Sequence, residues 1–367
     1  MPRKKKQIIV LAALLMVCFA AYLGIKAYNE SGSEQKGIAQ EADRVRLCNL
    51  GTITDLAWYN DKENFSFKLE DDLWRYLPDK DFPLDQNKFK SIVSTLGYLT
   101  AVRSFEPSES LASYGLDQPS WTVTATDTEG KSITLLIGGR TESGDADNYY
   151  LMEQSGKLVH TISSNLISYL DSPLLDLVEL ETCPTLSEEY IESIQIESPD
   201  KTLLFEKEVK APSSAGMDKD DETKEEDDDG TDNYSWYLVQ NGTRTALADL
   251  SPVSAADRDA AEKSAQELLN NLLSQLSLLA FEGCADYRAD KQARTEYGVD
   301  NPAISLKVTF SDPEGVEQAS STFTLAVGSL NQEGNAYYAV KDNSVMVNLI
   351  NSQAVATFEE MLRTTIF

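Results

Sequence analysis

Ser113-Tyr114-Gly115-Leu116-Asp117-Gln118-Pro119 recurs later in the chain as Glu296-Tyr297-Gly298-Val299-Asp300-Asn301-Pro302. Glycine permits a positive φ after the tyrosine, aspartate can turn back onto its own backbone, and proline favours an extended start to the next strand. The motif therefore predicts a turn that leads into a strand, and its two occurrences predict two copies of one unit. The fold-specifying residues are Tyr114, Gly115, Asp117 and Pro119, and in the second copy Tyr297, Gly298, Asp300 and Pro302.

Segments with the alternation of strands flank both motifs in the same order. After each motif come a strand, a turn and a strand ending in glycine, followed by a tyrosine pair at Tyr149-Tyr150 or Tyr337-Tyr338 and another strand. Before each motif come a hairpin and strand that carry a tryptophan, Trp74 or Trp236. Each copy therefore predicts an antiparallel sheet, and the segment after the last strand can form a short terminal helix.

One helix is predicted between the tryptophan and the motif of each copy. Asp85 can cap the first helix, and Ser254, with Asp257 three residues later, can cap a longer second helix. The apolar stripes are Phe89, Ile92, Val93, Leu96 and Leu99 in the first, and Leu268, Leu269, Leu272, Leu273, Leu276 and Leu279 in the second. An antiparallel sheet with one packed helix is an α+β fold, with repeats at 50–180 and 181–367.

Residues 1–28 have the composition of a basic cytoplasmic tip and a transmembrane anchor. Residues 8–25 are eighteen uncharged, mostly apolar residues, which as a helix would span about 27 Å of the ~30 Å hydrocarbon core of a bilayer. The formal charge of −28 divides into +5 in residues 1–29 and −33 in the rest. The positive-inside bias then predicts a single-pass cell-membrane protein with extracytoplasmic C-terminal domains, joined to the anchor by a flexible stalk at 29–49.

Two alternatives to an uncleaved anchor stay open. A cleavable signal peptide has the same order of parts, but its apolar region is usually shorter. The best small-residue cleavage site, Cys18-Phe19-Ala20, also lies inside the apolar run. Lipidation of Cys18 would place Val17 where a small residue is favoured and would leave apolar chain beyond the site. The uncleaved anchor is therefore the favoured interpretation.

A disordered acidic insertion is predicted at 210–233, because ten acidic residues face only two lysines between Asp218 and Asp232. Glu225, Asp227, Asp229 and Gly230 fall at calcium-loop positions one, three, five and six, but Trp236 stands where the bidentate glutamate is needed. A solvated spacer is favoured over a metal site.

The composition excludes several classes of function. The strong negative charge makes nucleic acid an unexpected partner. The single histidine, His160, excludes a site built on two imidazoles, and its alignment with Asn348 of the second copy favours a neutral, unpaired strand histidine. Free thiols at Cys48, Cys183 and Cys284 are favoured over a Cys48–Cys183 disulfide. No catalytic, cofactor-binding or metal-binding residue is assigned, and no cofactor is expected.

The tyrosine pairs offer the candidate binding surface. Adjacent residues of a strand point to opposite faces, so one tyrosine of each pair is expected to be buried. Tyr150 and Tyr338 are assigned as surface tyrosines that could stack on a sugar polymer or a peptide, and core packing is the favoured alternative.

The basic N-terminus, the apolar span and four later motifs together resemble the domain-of-unknown-function family 4340. The motifs are Asp81-Phe82-Pro83-Leu84-Asp85, Tyr114-Gly115-Leu116-Asp117-Gln118-Pro119, Leu136-Ile137-Gly138-Gly139 and Tyr149-Tyr150. The resemblance covers most of 50–180 and, more weakly, 190–367, where Val299, Ser329 and the acidic insertion depart from the pattern. It implies two tandem copies of a membrane-attached extracytoplasmic bacterial module, a partner of the ABC-type transporter kind, and no catalytic or ligand-binding residues.

The function predicted from these features is a membrane-anchored, extracytoplasmic, non-enzymatic binding or assembly module, accessory to an ABC-type transporter complex. One alternative is a cell-envelope sensor or a cell-wall polymer-binding protein that uses the surface tyrosines. Another is a carboxylate-dependent hydrolase, since acid and base chemistry can be performed by two carboxylates.

Overall fold

The computed structural model describes residues 45–141, 147–209, 234–250, 264–311 and 320–367. These residues form two units, one within 45–81 and 86–172 and the other within 82–85 and 173–367. The division after Ser172 falls eight residues before the predicted repeat boundary. The predicted anchor at 8–25 and the predicted insertion at 210–233 lie outside the described residues. Among the helices of the described ranges, none is both long and apolar enough to cross a membrane.

The first unit is an eight-stranded antiparallel sheet in the order β3-β2-β1-β5-β6-β7-β8-β4. Its strands are β1 Ile53–Tyr59, β2 Asn64–Glu70, β3 Leu73–Tyr76, β4 Arg103–Phe105, β5 Trp121–Asp127, β6 Ser132–Arg140, β7 Asn148–Glu153 and β8 Val159–Ser163. Helix α1 spans Gln86–Gly97 and helix α2 spans Asn165–Leu170. Helix α1 begins directly after Asp85, the residue that the sequence assigned to its cap.

An aromatic core joins helix α1 to the first sheet. Trp58 stacks on Phe65 and Phe67 with ring centroids 5.0 and 5.2 Å apart, and Phe67 lies 4.3 Å from Phe89 of the helix. These rings are almost fully buried, as expected for alternate strand positions that face a packed helix. Four of the five residues in the predicted stripe, Phe89, Ile92, Leu96 and Leu99, are buried, and Val93 is half-buried.

The outer edge of β3 is covered by a side chain. The amide of Gln86 accepts a hydrogen bond from Trp74 N at 2.9 Å and donates one to Trp74 O at 3.0 Å. A neighbouring strand would make the same two hydrogen bonds, so Gln86 occupies the pairing position at this edge.

The second unit is a nine-stranded antiparallel sheet in the order β12-β11-β10-β9-β14-β15-β16-β17-β13. Its strands are β9 Ile191–Glu197, β10 Thr202–Val209, β11 Tyr234–Gln240, β12 Thr243–Ala246, β13 Phe281–Asp286, β14 Ile304–Ser311, β15 Ser320–Leu330, β16 Ala336–Lys341 and β17 Val347–Asn351. The helices are α3 Ala265–Ser277, α4 Lys291–Glu296 and α5 Ser352–Arg363. All six leucines of the predicted stripe are buried. Both units therefore have the predicted character, mostly antiparallel sheet with a few helices.

The strand orders of the two sheets correspond when β12 is set aside. Trp74 and Trp236 both lie in the third strand of their unit, in β3 and β11. The additional strand follows a two-residue turn at Asn241-Gly242, where both residues have positive φ. Such a turn matches the twist of a hairpin, which explains why β12 pairs with β11.

Two predictions need correction. Helix α3 begins at Ala265, and Ser264 forms a reciprocal capping box with Glu267; Ser254 and Asp257 lie outside the described residues. The stalk was predicted to reach residue 49, but Leu47 and Cys48 are buried, and Leu47 N donates to Leu99 O at 2.9 Å. Each unit also has a helix after its last strand, α2 or α5, in the place where the sequence allowed a terminal helix.

Candidate functional site

The Tyr-Gly motif forms a tight turn in both units. In the first unit a 3-10 turn at Leu111–Tyr114 ends at Gly115, whose φ is 68°. In the second unit helix α4 ends at Glu296, and its capping residue Tyr297 is followed by Gly298, whose φ is 76°. A residue with a Cβ rarely adopts this left-handed conformation, so the turn requires glycine at both positions.

The motif aspartates act differently in the two copies. Asp117 accepts a hydrogen bond from the backbone of Gln118 at 3.0 Å, which is the turn that the sequence predicted. Asp300 instead accepts from Arg294 Nε at 2.9 Å. The same arginine donates to Ser344 O at 2.9 Å, so in the second unit the motif joins the turn before β17.

Each motif turn lies directly against a glycine of a neighbouring strand. A Cβ placed on Gly138 would lie 2.1 Å from Tyr114 O, and one placed on Gly328 would lie 2.2 Å from Tyr297 O. Ser329 N also donates to Tyr297 O at 2.9 Å. Because carbon and oxygen cannot approach so closely, only glycine lets the two backbones touch. The motif and the strand-ending glycine thus form one structural device.

A β-bulge positions that strand glycine. Between the pairs Ile137–Leu151 and Arg140–Tyr149, strand β6 advances three residues while β7 advances two. Strand β15 carries the same extra residue opposite β16. A bulge bends the strand locally and lets another segment approach its backbone closely. Each motif turn packs at this point of the strand.

A second, smaller apolar cluster forms where the motif covers the sheet. In the antiparallel register these strand positions alternate with those that face the helices. The cluster in the first unit consists of Tyr114, Leu116, Met152 and Val159, with Phe105, Leu111, Leu136 and Tyr150 at its margin. The corresponding cluster in the second unit consists of Ala289, Val299, Val340 and Val347, with Ala285, Ala293, Tyr297 and Tyr338 at its margin. The motif therefore adds a layer on the face opposite the main core.

Tyr150 and Tyr338 pack against the motif tyrosines. The ring centroids of Tyr150 and Tyr114 are 5.0 Å apart in an edge-to-face arrangement, and those of Tyr338 and Tyr297 are 4.5 Å apart. Tyr149 packs edge-on against Trp121 at 5.6 Å. Each tyrosine of both pairs is half-buried, so the expectation of one buried tyrosine in each pair is wrong. In each unit, part of the Tyr150 or Tyr338 ring that a stacking ligand would need is already in contact with the motif tyrosine.

His160 is buried in β8 and has a partner, in contrast to the unpaired histidine that the sequence predicted. Its Nδ1 lies 2.8 Å from Ser104 Oγ on the neighbouring strand β4. Burial lowers the pKa of His160, because the imidazolium loses hydration, although the charge of Glu153 opposes this in part. No carboxylate within the described ranges forms a hydrogen bond to the ring, so the pair lacks the acidic group that orients a catalytic histidine.

Asn348 holds the equivalent position in the second unit, as the repeat alignment predicted. His160 is paired with Leu151 and Ser104 across its sheet, and Asn348 is paired with Ala339 and Cys284. The side chain of Asn348 is fully buried, and its Nδ2 donates to Glu181 Oε2 at 2.7 Å.

The three cysteines of the described chain, Cys48, Cys183 and Cys284, are free. Burial raises the pKa of Cys183 to about 11 and that of Cys284 to about 12. A thiol with so high a pKa is protonated at neutral pH and is a poor nucleophile or metal ligand. No group of three or more metal-binding side chains occurs among the described residues.

The outward polar face of the second sheet contains a shallow groove of about 290 Å³. The polar residues that line the groove lie on three adjacent strands and in the turn after β16: Gln195, Glu197, Ser305, Lys307, Thr324 and Asp342. Lys307 is paired in register with Gln195 and Thr324, and it is exposed. Within the described ranges no carboxylate forms an ion pair with Lys307. The uncovered groove therefore presents one cation, two carboxylates, an amide and hydroxyls, which suits the binding of a polar, extended partner.

Sequence reasoning missed this groove, although a signal was present. Strand β14 alternates Ile304, Leu306 and Val308 with polar residues, and the apolar set is buried. The alternation predicts one uncovered polar face, but it does not tell which neighbouring strands deepen that face into a groove.

Comparison with known proteins gives one family. Residues 74–251 match the sequence model of the family described as Domain of unknown function (DUF4340), which confirms the resemblance drawn from the motifs. No curated protein and no solved structure matches the chain significantly. The matched stretch begins at Trp74 in the first unit and ends beyond β12 of the second. Residues 74–251 of the chain are therefore similar to the DUF4340 family.

Proposed function

We propose that this protein is a single-pass membrane protein whose two tandem copies of one α+β unit act outside the cytoplasm as a binding or assembly module without enzymatic activity. The proposed partner is a membrane protein complex of the ABC-type transporter kind. The partner surface is the groove around Lys307, and this groove is the observation that carries the proposal.

The membrane placement is supported by the N-terminal sequence. The eighteen uncharged residues at 8–25 follow a cluster of one arginine and three lysines, and the chain beyond residue 29 carries −33. Because basic residues that flank a membrane span are retained on the cytoplasmic side, the acidic units are expected on the opposite side of the membrane.

The tandem relationship is supported by shared geometry. Both sheets have the same strand order apart from β12, and both carry the bulge and glycine contact at the same place. In both units the motif tyrosine also packs against a strand tyrosine, Tyr150 of β7 in the first and Tyr338 of β16 in the second. Two unrelated sheets would not be expected to share the strand order, the bulge, the glycine contact and the tyrosine pair.

A binding role is supported by the environments of the side chains that could otherwise take part in catalysis. His160 and Asn348 are buried between strands, the thiols are protonated, and the motif residues hold backbone contacts. The groove, by contrast, presents Lys307 and its neighbours to solvent. A partner carboxylate placed at Lys307 would form a charge-assisted hydrogen bond on a rigid three-strand platform.

Crosslinking of the full-length protein in its own membrane, followed by affinity purification, tests the proposal. Transporter subunits should be recovered with the unaltered protein, and Lys307→Glu should reduce their recovery at least fivefold. Lys157→Glu is the matched control, because Lys157 is an exposed lysine in a turn of the first unit. Equal recovery with both variants, or recovery of no membrane complex, would contradict the proposal.

A further inference from the structure

A short two-stranded ladder begins the described part of the first unit. Ala101 N donates to Val45 O at 2.8 Å, and Arg46 forms an antiparallel bridge with Thr100. The ladder is therefore fixed at the point where the N-terminal segment joins the folded unit.

One side of this ladder is exposed and carries a cation, an aromatic ring and an aliphatic side chain. Leu47 and Leu99 point into the protein and are buried. By strand alternation Arg46 lies on the other side together with Val102, two positions from its bridge partner, and the Tyr98 ring lies on the same side because it contacts the Arg46 guanidinium. Tyr98 is 74% exposed and Val102 is 48% exposed. We call Arg46, Tyr98 and Val102 the ladder face.

The cation of the ladder face is held in place without an acidic partner. Arg46 donates to Gly97 O from Nε at 3.0 Å and from Nη2 at 2.6 Å, and its guanidinium lies 5.3 Å from the ring centroid of Tyr98. No carboxylate in the described chain forms an ion pair with Arg46. The ladder face thus combines a preorganised positive charge, an aromatic ring and an aliphatic side chain.

We propose that the ladder face lies on the headgroup region of the bilayer that residues 8–25 cross, an inference that rests on the anchor of the proposed function. Tyrosine is enriched at this interface because its ring is apolar and its hydroxyl is polar. Arginine contributes an apolar stem and a charge that attracts lipid phosphate. In a chain so acidic, an exposed face with an unpaired cation and apolar side chains is suited to approach an anionic surface.

The position of the ladder in the chain supports the same occupant. Residues 26–44 separate the predicted span from Val45. Nineteen residues reach at most about 65 Å even when fully extended. The ladder face is therefore confined near the membrane, where a high effective concentration lets a weak contact form.

Photocrosslinking tests this contact. The full-length protein is reconstituted into vesicles of phosphatidylethanolamine and phosphatidylglycerol, with benzoylphenylalanine at Tyr98 or, in a second variant, at Val102. Tyr59 is the matched control, since it is an exposed tyrosine of β1. Strand β1 lies five strands from β4 in the sheet, or roughly 24 Å away.

Illumination should give at least fivefold more lipid adduct at positions 98 and 102 than at position 59. Equal adduct at all three positions, in protein that floats with the vesicles, overturns the ladder-face contact and leaves the anchor intact. Adducts at 98 and 102 that contain protein instead of lipid overturn it as well. Protein that does not float with the vesicles overturns both the contact and the proposed anchor.

Discussion

Substitution of Gly138 by alanine tests whether the motif turn and the strand glycine form one structural device. The new Cβ would lie 2.1 Å from Tyr114 O and 2.8 Å from the carbonyl carbon of Gly115. An ordinary carbon–oxygen contact is above 3 Å, so about 1 Å of backbone movement is needed. Both sides of the contact are backbone, which cannot rotate away as a side chain can. Overpacking typically costs 1–3 kcal/mol, and we expect the upper end, about 3 kcal/mol.

Urea denaturation of the full-length protein, followed by tryptophan fluorescence, measures this loss. Three of the four tryptophans, Trp58, Trp74 and Trp121, lie in the first unit. With a slope of about 2 kcal/mol per molar urea, the midpoint of the transition they report should fall by about 1.5 M.

Gly139→Ala is the matched control, because the nearest atom to its new Cβ, Tyr114 O, is 3.8 Å away. That distance is an ordinary contact, and its midpoint should move by less than about 0.5 M, as for most substitutions that create no clash. If Gly138→Ala and Gly139→Ala shift the midpoint equally, the proposed docking of the motif turn on the strand glycine is refuted.

Three further predictions concern the buried histidine, a helix cap and a thiol. Because the pKa of folded His160 is lowered, its contribution to stability is present above the unfolded pKa of about 6.5 and is lost as the pH falls through that value toward the folded one. His160→Asn should flatten the dependence of the urea midpoint between about pH 7 and 5, and an unchanged slope would argue against it. Ser264→Ala removes a reciprocal capping box and should cost about 1 kcal/mol in thermal melting followed by circular dichroism, whereas Ser274→Ala, on the exposed helix surface, should cost much less. Cys284 is 7% exposed with a raised pKa, so in a variant that keeps it as the single cysteine its reaction with an aromatic disulfide reagent should be at least a hundredfold faster in denaturant, and rapid reaction of that folded variant would contradict the burial.

Local patterns predicted most of the elements. The spacing of Phe89, Ile92 and Leu96 predicted helix α1 and its buried face, and repetition of the Tyr-Gly motif pointed to two sheets of similar order. These features depend on residues close together in the chain, where periodicity and turn chemistry are informative.

Contacts between distant residues were not predicted. Glycine pairs Gly115–Gly138 and Gly298–Gly328 are separated by 23 and 30 residues, and only the structure reveals that their backbones touch. The cap of helix α3 was misplaced although the Ser264–Glu267 spacing was present. A glutamate reaches back to the backbone more readily than the aspartate at 257, so the longer acidic side chain was the better signal.

The sequence placed the two tyrosine pairs correctly in strands, but it did not predict how deeply each tyrosine is buried. Alternation alone assigns one face to Tyr149 and the other to Tyr150. It does not reveal that the motif turn returns to cover part of the second face, which leaves Tyr150 half-buried against Tyr114. The groove around Lys307 likewise depends on the order of strands, which no single strand encodes.

The covering of β3 by Gln86 has a consequence for how a chain with two similar sheets assembles. A strand released during folding could pair with the wrong sheet, as happens in domain swapping of repeated domains. The first unit presents the amide of Gln86 at this edge, whereas the second continues into β12 through the Asn241-Gly242 turn. The outer sides of β3 and β11 are therefore both occupied, and exchange of a strand at either position must first displace local hydrogen bonds. Loss of the Gln86 amide should show itself less in the stability of the native protein than in the yield of correctly assembled chains.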